Sequence, residues 1–416
     1  MLRPAAQEDG VGHDPLIRKG FGLRKEVAPE LARDYHSDLV ARARLSGGEL
    51  RFPGLTVRIA KEFGFCYGVE RAVDYAYETR MKFPERRLFL TSEIIHNPRV
   101  NRRLRQIGFE FLDGSYGSRH GWEDLTPEDV VLIPAFGVTA EELARLRRIG
   151  CLLVDTTCGS VLNVWRRVER CARDGFTCLI HGKHEHEETR ATASRALVHP
   201  GGRYLVVRDL DETEIVARYI ERGGDRDAFA RRFAKAMSPG FDPDRDLERI
   251  GMANQTTMLS SESLKVQERI RRALAARYGE EALGEHFRAF DTICSATQDR
   301  QDAIRQMMER PPDLALIIGG FNSSNTGHLT EICGASCPSY HVESADDLLD
   351  ARRIRHLPVG GHEPVVSRGW LPERPIEIGI TAGASTPDQE VGRVIDRVVA
   401  LSGCEPEPES SPGPLR

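Results

Sequence analysis

Three cysteines recur at equivalent positions along this chain, and this repeat constrains the fold more than any other feature. Cys66, Cys158 and Cys294 each follow an apolar, strand-like segment and precede a helix-like one. A second strand with a polar loop follows each cysteine at nearly constant distance, and a third strand with its own loop completes each set. The pattern predicts three copies of one unit. Three units around a common axis would bring the three thiols to one point.

Apart from 134–138, the loops after the second and third strands carry His, Ser, Thr or Asn. In chain order these loops span 93–98, 134–138, 184–189, 254–257, 320–326 and 381–385. Short apolar segments alternate with helix-like stretches, which predicts an α/β fold with parallel sheets and crossover helices. Ligands bind at the carboxyl ends of strands in such sheets, so we expect these loops to face one cavity.

The repeats divide the chain into five predicted segments. These are an N-terminal extension at 1–55 with a helix over 29–45, units at 56–150, 151–284 and 285–400, and a tail at 401–416. The second unit carries an insertion near 222–246, which is rich in charge and glycine. The tail is rich in Pro, Glu and Ser, cannot bury apolar surface, and is expected to be disordered.

Composition excludes several classes of protein. The 416 residues hold 58 Lys and Arg against 63 Asp and Glu, a net charge of −5. This balance argues against nucleic acid as a partner, because phosphate binding needs a basic surplus. No apolar run approaches the roughly 18 residues of a membrane span, and the N-terminus lacks a signal-peptide core. Nine cysteines, an odd number, favour a reducing cytoplasm over a disulfide framework.

The three repeated thiols favour a metal centre. Three thiolates and an open position suit an iron–sulfur cluster that takes part in chemistry. A zinc ion held by the same thiolates and a water is the alternative. The other cysteines have no equivalent in the repeats and are expected to be structural: Cys151, Cys171, Cys178, Cys333, Cys337 and Cys404.

The loop at 184–188 could bind a metal by composition, or be an ordinary solvated loop. If it were extended, alternation would place His184, His186 and Glu188 on one face. Its position at a strand end favours the active site, where a histidine can donate to an anion and a carboxyl group can hold a transferable proton. Glu187 is then expected to point elsewhere.

The hydroxyl and amide groups of the other loops allow two interpretations. Ser, Thr and Asn cap helices everywhere, and this accounts for some of them. Several such loops facing one cavity would also bind phosphate through neutral donors and helix N-termini. The chain has no Walker-type phosphate loop, so a nucleoside triphosphate site is not supported.

Eight short stretches of the sequence, taken together, closely resemble one family. The matching strings lie at 64–72, 93–98, 155–158, 186–188, 254–257, 293–301, 322–325 and 381–385. They resemble the 4-hydroxy-3-methylbut-2-enyl diphosphate reductases in the correct order over about 57–395. The N-terminal segment and the insertion resemble the longer cyanobacterial and plant form. That family carries out the last step of the methylerythritol phosphate route to isoprenoids.

The resemblance implies a trefoil of three α/β domains around a [4Fe–4S] cluster. Cys66, Cys158 and Cys294 would be its ligands, one iron would stay open, and Glu188 would be the proton source. Other residues would hold the diphosphate or the hydroxyl end of the substrate: His96, His186, Thr256, Ser323, Ser324, Asn325 and Ser385. Two-electron reductive dehydroxylation would yield isopentenyl and dimethylallyl diphosphate. A reduced ferredoxin- or flavodoxin-type protein would be the electron donor.

Some positions depart from the family's pattern, and two other functions stay open. The short bacterial form has histidine where this chain has Phe136, and Gly159, Ser160 and Asn163 change the surroundings of Cys158. Quinolinate synthase also combines three repeated domains with three cysteines on one cluster, although the Ser/Thr/Asn loops argue against it. An iron–sulfur redox sensor would need a partner-binding element, and no basic helix-turn-helix is apparent.

Overall fold

The computed structural model describes residues 16–113, 116–117, 119–290 and 292–403. Within these residues the strands are β1 (Leu16–Ile17), β2 (Glu49–Phe52), β3 (Leu55–Ile59), β4 (Leu88–Leu90), β5 (Phe109–Phe111), β6 (Val130–Ile133), β7 (Leu152–Asp155), β8 (Thr177–His181), β9 (Tyr204–Val207), β10 (Ile250–Asn254), β11 (Phe287–Ala289), β12 (Leu314–Ile318), β13 (Ser339–Val342), β14 (Arg353–His356), β15 (Val365–Arg368) and β16 (Ile376–Ala382). The α-helices are α1 (Arg24–Tyr35), α2 (Asp38–Leu45), α3 (Tyr67–Lys82), α4 (Pro98–Gln106), α5 (Ala140–Ile149), α6 (Gly159–Arg173), α7 (Glu187–Ala196), α8 (Leu210–Arg222), α9 (Arg226–Phe233), α10 (Pro243–Asp246), α11 (Ser260–Tyr278), α12 (Leu283–His286), α13 (Ser295–Met308), α14 (Ser324–Gly334) and α15 (Asp388–Leu401).

The strands form three larger sheets and one two-stranded ribbon. The first sheet has the order β1-β7-β6-β4-β5, the second β11-β10-β8-β9 and the third β13-β12-β16-β3-β2. All pairings in these sheets are parallel except that of β2 with β3. Central strands such as β6 and β12 are buried along their whole length, as expected where helices cover both faces. The predicted α/β fold with parallel sheets is confirmed.

Each of the three cysteines lies where the chain crosses from one sheet to the next. Cys158 follows β7 of the first sheet and begins α6, which packs on β8 and β10 of the second. Likewise Cys294 follows β11 of the second sheet, and Cys66 follows β3 of the third. The predicted boundaries instead group the strand before each cysteine with the unit that follows it. The strand pairings do not follow these boundaries. The strand before each cysteine pairs within one sheet, and the helix after the cysteine leads to the next sheet along the chain.

The N-terminal extension packs against the first and third sheets. The single helix predicted over 29–45 is two helices, because Ser37 begins a new one by accepting a hydrogen bond from the backbone N–H of Val40. Helix α1 contacts α3, and α2 contacts α15. Strand β1 extends the first sheet through β7. The extension therefore joins two of the three sheets.

Truncating the buried side chain of Val40 is expected to destabilise the protein. Val40 is fully buried in the core of the third sheet, beside residues such as Val394. Val40→Ala should lower the free energy of unfolding by about 1–3 kcal/mol through lost burial and a residual cavity. Leu45→Ala, at the 90% exposed end of α2, is the matched control and should change it by less than about 0.5 kcal/mol. Equal effects in thermal melts would contradict this packing.

The predicted insertion near 222–246 adds to the core of the second sheet. It contains α9 and α10, and three buried phenylalanines, Phe229, Phe233 and Phe241, pack into that core. The predicted tail lies outside the described residues from 404 onward, as does the extension before residue 16. Within the described residues, no helix combines the length and apolar content that a bilayer crossing requires.

Candidate active site

Loops from all three sheets enclose one central cavity of about 100 Å³. Every predicted site residue lines it: Cys66, His96, Cys158, His186, Glu188, Thr256, Cys294, Ser323, Ser324, Asn325 and Ser385. Parallel strands end at the same edge of a sheet, so the loops after these strands reach a common point. The structure thus brings together side chains that lie far apart in the sequence.

The three cysteines occupy the same structural position in each unit. Cys66, Cys158 and Cys294 are the N-caps of α3, α6 and α13. The N–H of Thr297 donates to Cys294 Sγ at 3.3 Å, and the backbone N–H groups of Val69 and Gly68, in the first turn of α3, lower the pKa of Cys66 in part. A helix N-terminus stabilises negative charge through its free N–H groups and its dipole. The three sulfurs are therefore placed to be thiolates.

Burial opposes ionisation of the Cys66 and Cys294 thiols until something binds them. It raises the pKa of Cys66, and it raises the pKa of Cys294 to about 11. At neutral pH these groups are thiols unless a metal displaces their protons. Gly68 allows the helices to approach this closely, since a Cβ at that position would lie 2.6 Å from Cys158 Sγ.

Arg300, to which we assigned no role from the sequence, lies near the sulfurs of Cys66 and Cys294. It is 4% exposed, and its Nη2 donates to the carbonyl of Gly64 at 2.5 Å. Burial lowers the pKa of Arg300, while the nearby sulfurs of Cys66 and Cys294 raise it. A buried guanidinium at this position offsets negative charge on the sulfurs. The only sequence signal for a role of Arg300 was its position within the family-like string at 293–301.

The segment at 184–188 is not extended, because α7 begins at Glu187. His186 is the N-cap of α7, with its Nδ1 accepting from the N–H of Glu188 at 3.2 Å. Glu188 consequently lies in the first helical turn, and His184 does not line the cavity. The predicted alternation does not occur, because the N-cap at His186 starts the helix at the next residue.

Glu188 is a buried carboxyl group with two hydrogen bonds from one residue. The N–H of Thr256 donates to its Oε1 at 2.6 Å, and the Thr256 hydroxyl donates to its Oε2 at 2.9 Å. Burial raises the pKa of Glu188 above its usual range, although these two bonds lower it in part. When Oε2 is protonated, the Thr256 hydroxyl can accept instead of donate. Glu188 can therefore hold a proton inside the cavity.

Two histidines and a phenylalanine form one wall. His96 stacks on Phe136 with centroids 4.8 Å apart, and the His186 ring meets His96 edge to face. Burial lowers the pKa of His186. Since its Nδ1 accepts a hydrogen bond, the neutral ring carries its proton on Nε2. Phe136 thus supports His96 by stacking on its ring.

The opposite wall is the beginning of α14. Ser323 is its N-cap and accepts from the N–H of Thr326, while Ser324 Oγ accepts from Gln255 Nε2 at 3.4 Å. Asn325 Oδ1 accepts from the N–H of Ala384. Asn325 Nδ2 is buried, and the described part of the chain gives it no hydrogen-bond partner. This wall offers an amide donor and a helix N-terminus to an anion.

Two carboxylates lie near His96. We had not predicted a role for Glu93, and we had expected Glu187 to point elsewhere. Glu93 Oε2 lies 3.2 Å from His96 Nδ1. Glu187, which we expected to point elsewhere, places its Oε2 3.8 Å from His96 Nε2. The Glu187 contact crosses between sheets, so no local sequence signal could have found it, whereas Glu93 lies only three residues before His96 in the same loop. Beside Cys158, Ser160 lines the cavity, whereas Asn163 is exposed and bonds to Arg166.

Comparison with known proteins identifies the family. The family model described as LytB protein matches residues 57–399, which include every residue that lines the cavity. The chain belongs to the LytB family. Its matched range begins at β3 and ends in α15, so it spans all three larger sheets.

Curated relatives of this LytB chain are named 4-hydroxy-3-methylbut-2-enyl diphosphate reductase. The relative from Thermosynechococcus vestitus is 50% identical over 385 residues, covering 92% of this chain and 94% of the relative. The relative from Gloeobacter violaceus is 48% identical over 391 residues and covers 93% of each chain.

Solved structures agree with the fold. A structure described as (E)-4-hydroxy-3-methyl-but-2-enyl diphosphate reductase, the terminal enzyme of the non-mevalonate pathway, matches with TM-score 0.50 and 27% identity. It covers 83% of this chain and 99% of the solved one. The E-1-hydroxy-2-methyl-but-2-enyl-4-diphosphate reductase from Plasmodium falciparum matches with TM-score 0.59, covering 82% of this chain and 87% of that one. At 18% identity, the second match supports the fold alone.

Proposed function

We propose that this protein reduces 4-hydroxy-3-methylbut-2-enyl diphosphate to isopentenyl and dimethylallyl diphosphate. The observation that carries the proposal is the meeting, in one buried cavity, of three helix-capping thiols, a carboxyl group with a raised pKa and an anion-binding wall. Relatives about half identical over most of the chain bear the name of this activity. The reaction replaces a hydroxyl group by hydrogen, consumes two electrons and two protons, and releases water.

The thiols fit an iron–sulfur cluster better than a single zinc ion. Among the described residues, the only three His, Cys, Asp or Glu ligand atoms within 4.8 Å of one another belong to His96, His186 and Glu187. The cysteine sulfurs are therefore spread more widely than the roughly 2.3 Å Zn–S bonds of one ion allow. We assign Cys66, Cys158 and Cys294 as ligands of a [4Fe–4S] cluster with one open iron. When bound, the cluster would supply the electrons and a Lewis acid.

Glu188 is the residue we assign to proton delivery. Its carboxyl group lies in the cavity, and burial favours the protonated form. A proton given to the departing hydroxyl lets it leave as water, which is a far better leaving group than hydroxide. Thr256 orients the carboxyl group through both of its oxygens.

The polar walls are suited to hold the substrate by its two ends. We propose that His96, His186, Ser323, Asn325 and the N-terminus of α14 bind the diphosphate. Thr256, Ser324 and Ser385 complete the lining around the substrate and its hydroxyl end. These donors need no lysine, because a helix N-terminus binds phosphate through backbone N–H groups.

Burial limits side reactions. His186, Glu188 and Ser323 are each less than one-tenth exposed, and Phe136 closes the apolar side of the cavity. Few waters can then compete with Glu188 as a proton source. We further propose that a reduced ferredoxin- or flavodoxin-type protein delivers the electrons and that the enzyme works in the cytoplasm.

An anaerobic product assay tests this function. Protein purified without oxygen is mixed with the hydroxylated diphosphate and a chemical reductant, and the products are separated by mass spectrometry. Both five-carbon diphosphates should form at the expense of the substrate. Unchanged substrate in the presence of an intact cluster would refute the proposal.

A further inference from the structure

The imidazole of His96 is held from behind by a carboxylate. Glu93 Oε2 lies 3.2 Å from His96 Nδ1, and both side chains are largely buried. Asn322 Nδ2 donates to the same carboxylate oxygen at 3.0 Å. Glu93 and His96 lie in the loop after β4, whereas Asn322 lies in the loop after β12. The three groups therefore join loops of the first and third sheets.

These contacts determine which ring nitrogen of His96 carries a proton. A carboxylate oxygen can only accept, so His96 Nδ1 donates its N–H to Glu93. Asn322 Nδ2 donates to that oxygen as well. It also lies 3.3 Å from Nδ1, but an unprotonated Nδ1 would put two acceptors in contact, so Nδ1 keeps the proton. The other nitrogen, Nε2, is buried, and no described residue gives it a hydrogen-bond partner. His96 is thus anchored at Nδ1, with Nε2 left for a ligand.

We propose that Glu93 is a positioning residue that prepares His96 to bind the substrate's diphosphate, an inference that rests on the proposed function. To donate to a diphosphate oxygen, Nε2 must carry a proton while Nδ1 keeps its own. The ring then bears a positive charge, which the Glu93 carboxylate stabilises at hydrogen-bond distance. Glu93 itself does not line the cavity and acts only through His96.

Glu187 has the opposite relation to the same ring. Its carboxylate lies 3.8 Å from His96 Nε2, on the side that faces the ligand. An anion arriving at Nε2 must compete with this carboxylate or displace it, because like charges repel at short range. The two carboxylates therefore have opposed expected effects on diphosphate binding, Glu93 favouring it and Glu187 opposing it.

Glu93→Gln tests the proposal in the anaerobic holoenzyme. Glutamine can still accept from Nδ1 but carries no charge, so KM and the inhibition constant of inorganic diphosphate should both rise by about tenfold. The kcat should stay within about twofold, since Glu93 touches no reacting atom. Unchanged KM, or a loss confined to kcat, would overturn the proposal.

Three further variants separate this role from a structural one. Glu343→Gln is the matched control. Glu343 accepts from the N–H of Phe321, the residue before Asn322, and among the described residues it makes no hydrogen bond or ion pair with His96. The KM of this variant should not change. Glu187→Gln should lower KM, and a rise like that of Glu93→Gln would contradict the opposed roles. If Glu93→Gln fails to fold, Asn322→Ala tests the same anchor and should raise KM by about threefold. No change there would overturn the proposal.

Calorimetry with inorganic diphosphate distinguishes the two levels of inference. If the parent protein binds diphosphate but never converts the substrate, the proposed function fails. The role of Glu93 is then decided by binding alone. Weaker diphosphate binding by Glu93→Gln than by Glu343→Gln supports it, and equal binding refutes it.

Discussion

Glu188→Gln is expected to lower turnover by about 10²- to 10⁴-fold while iron content and substrate affinity stay close to those of the parent. Glutamine keeps the shape of the side chain and can accept the Thr256 N–H, but it has no transferable proton. The departing hydroxyl would then lack its acid. Steady-state turnover and metal analysis of the anaerobically purified variant provide the measurement.

A second, partly buried glutamate serves as the control for this variant. Burial also raises the pKa of Glu262, which lies in α11 and does not line the cavity. Glu262→Gln should therefore retain turnover, whereas Glu187 is unsuitable as a control because it contacts His96. Full turnover in Glu188→Gln would mean that His186 or the substrate's own diphosphate supplies the proton.

Replacing any one of the three cavity cysteines by serine is expected to remove most of the iron and sulfide. Cys66, Cys158 and Cys294 each begin a different crossover between sheets, so none can substitute for another. About four irons per chain are expected in the parent, as in other [4Fe–4S] proteins. Iron, sulfide and visible absorbance of anaerobic preparations measure the loss.

Cys151→Ser is the matched control for the cysteine variants. Cys151 is fully buried beneath α5, its thiol faces the carbonyl of Leu146, and it does not line the cavity. Its iron content should equal that of the parent even if its stability falls. Stoichiometric zinc without visible absorption in the parent protein would contradict the cluster assignment.

The convergence of the site was predictable because it follows from the fold class. Apolar strands followed by polar loops predict parallel sheets, and the strand ends of such sheets share one edge. That rule brought His96, Ser323 and Ser385 to the same cavity as the three cysteines. The helical positions of the cysteines were also predictable, since each precedes a helix-like stretch.

Features that depend on contacts between distant segments were not predictable from the sequence. Strand β3 belongs to the third sheet because it pairs with β16, far along the chain, and β7 is paired on one side by the distant β1. The same limit explains why Glu187 was expected to point elsewhere, because its partner His96 lies in another unit. At 184–188, a single N-cap hydrogen bond outweighs the alternation pattern. The roles of the individual site residues stay predictions.

Adding substrate to the reduced, anaerobic protein tests the central claim most directly. The protein is first reduced, excess reductant is removed, and visible absorbance is followed while substrate is added. We expect the absorbance of the oxidised cluster to return and about one product molecule to form for every two electrons consumed, as the proposed dehydroxylation requires. Product formed without reoxidation, or reoxidation without either five-carbon diphosphate, would contradict the account.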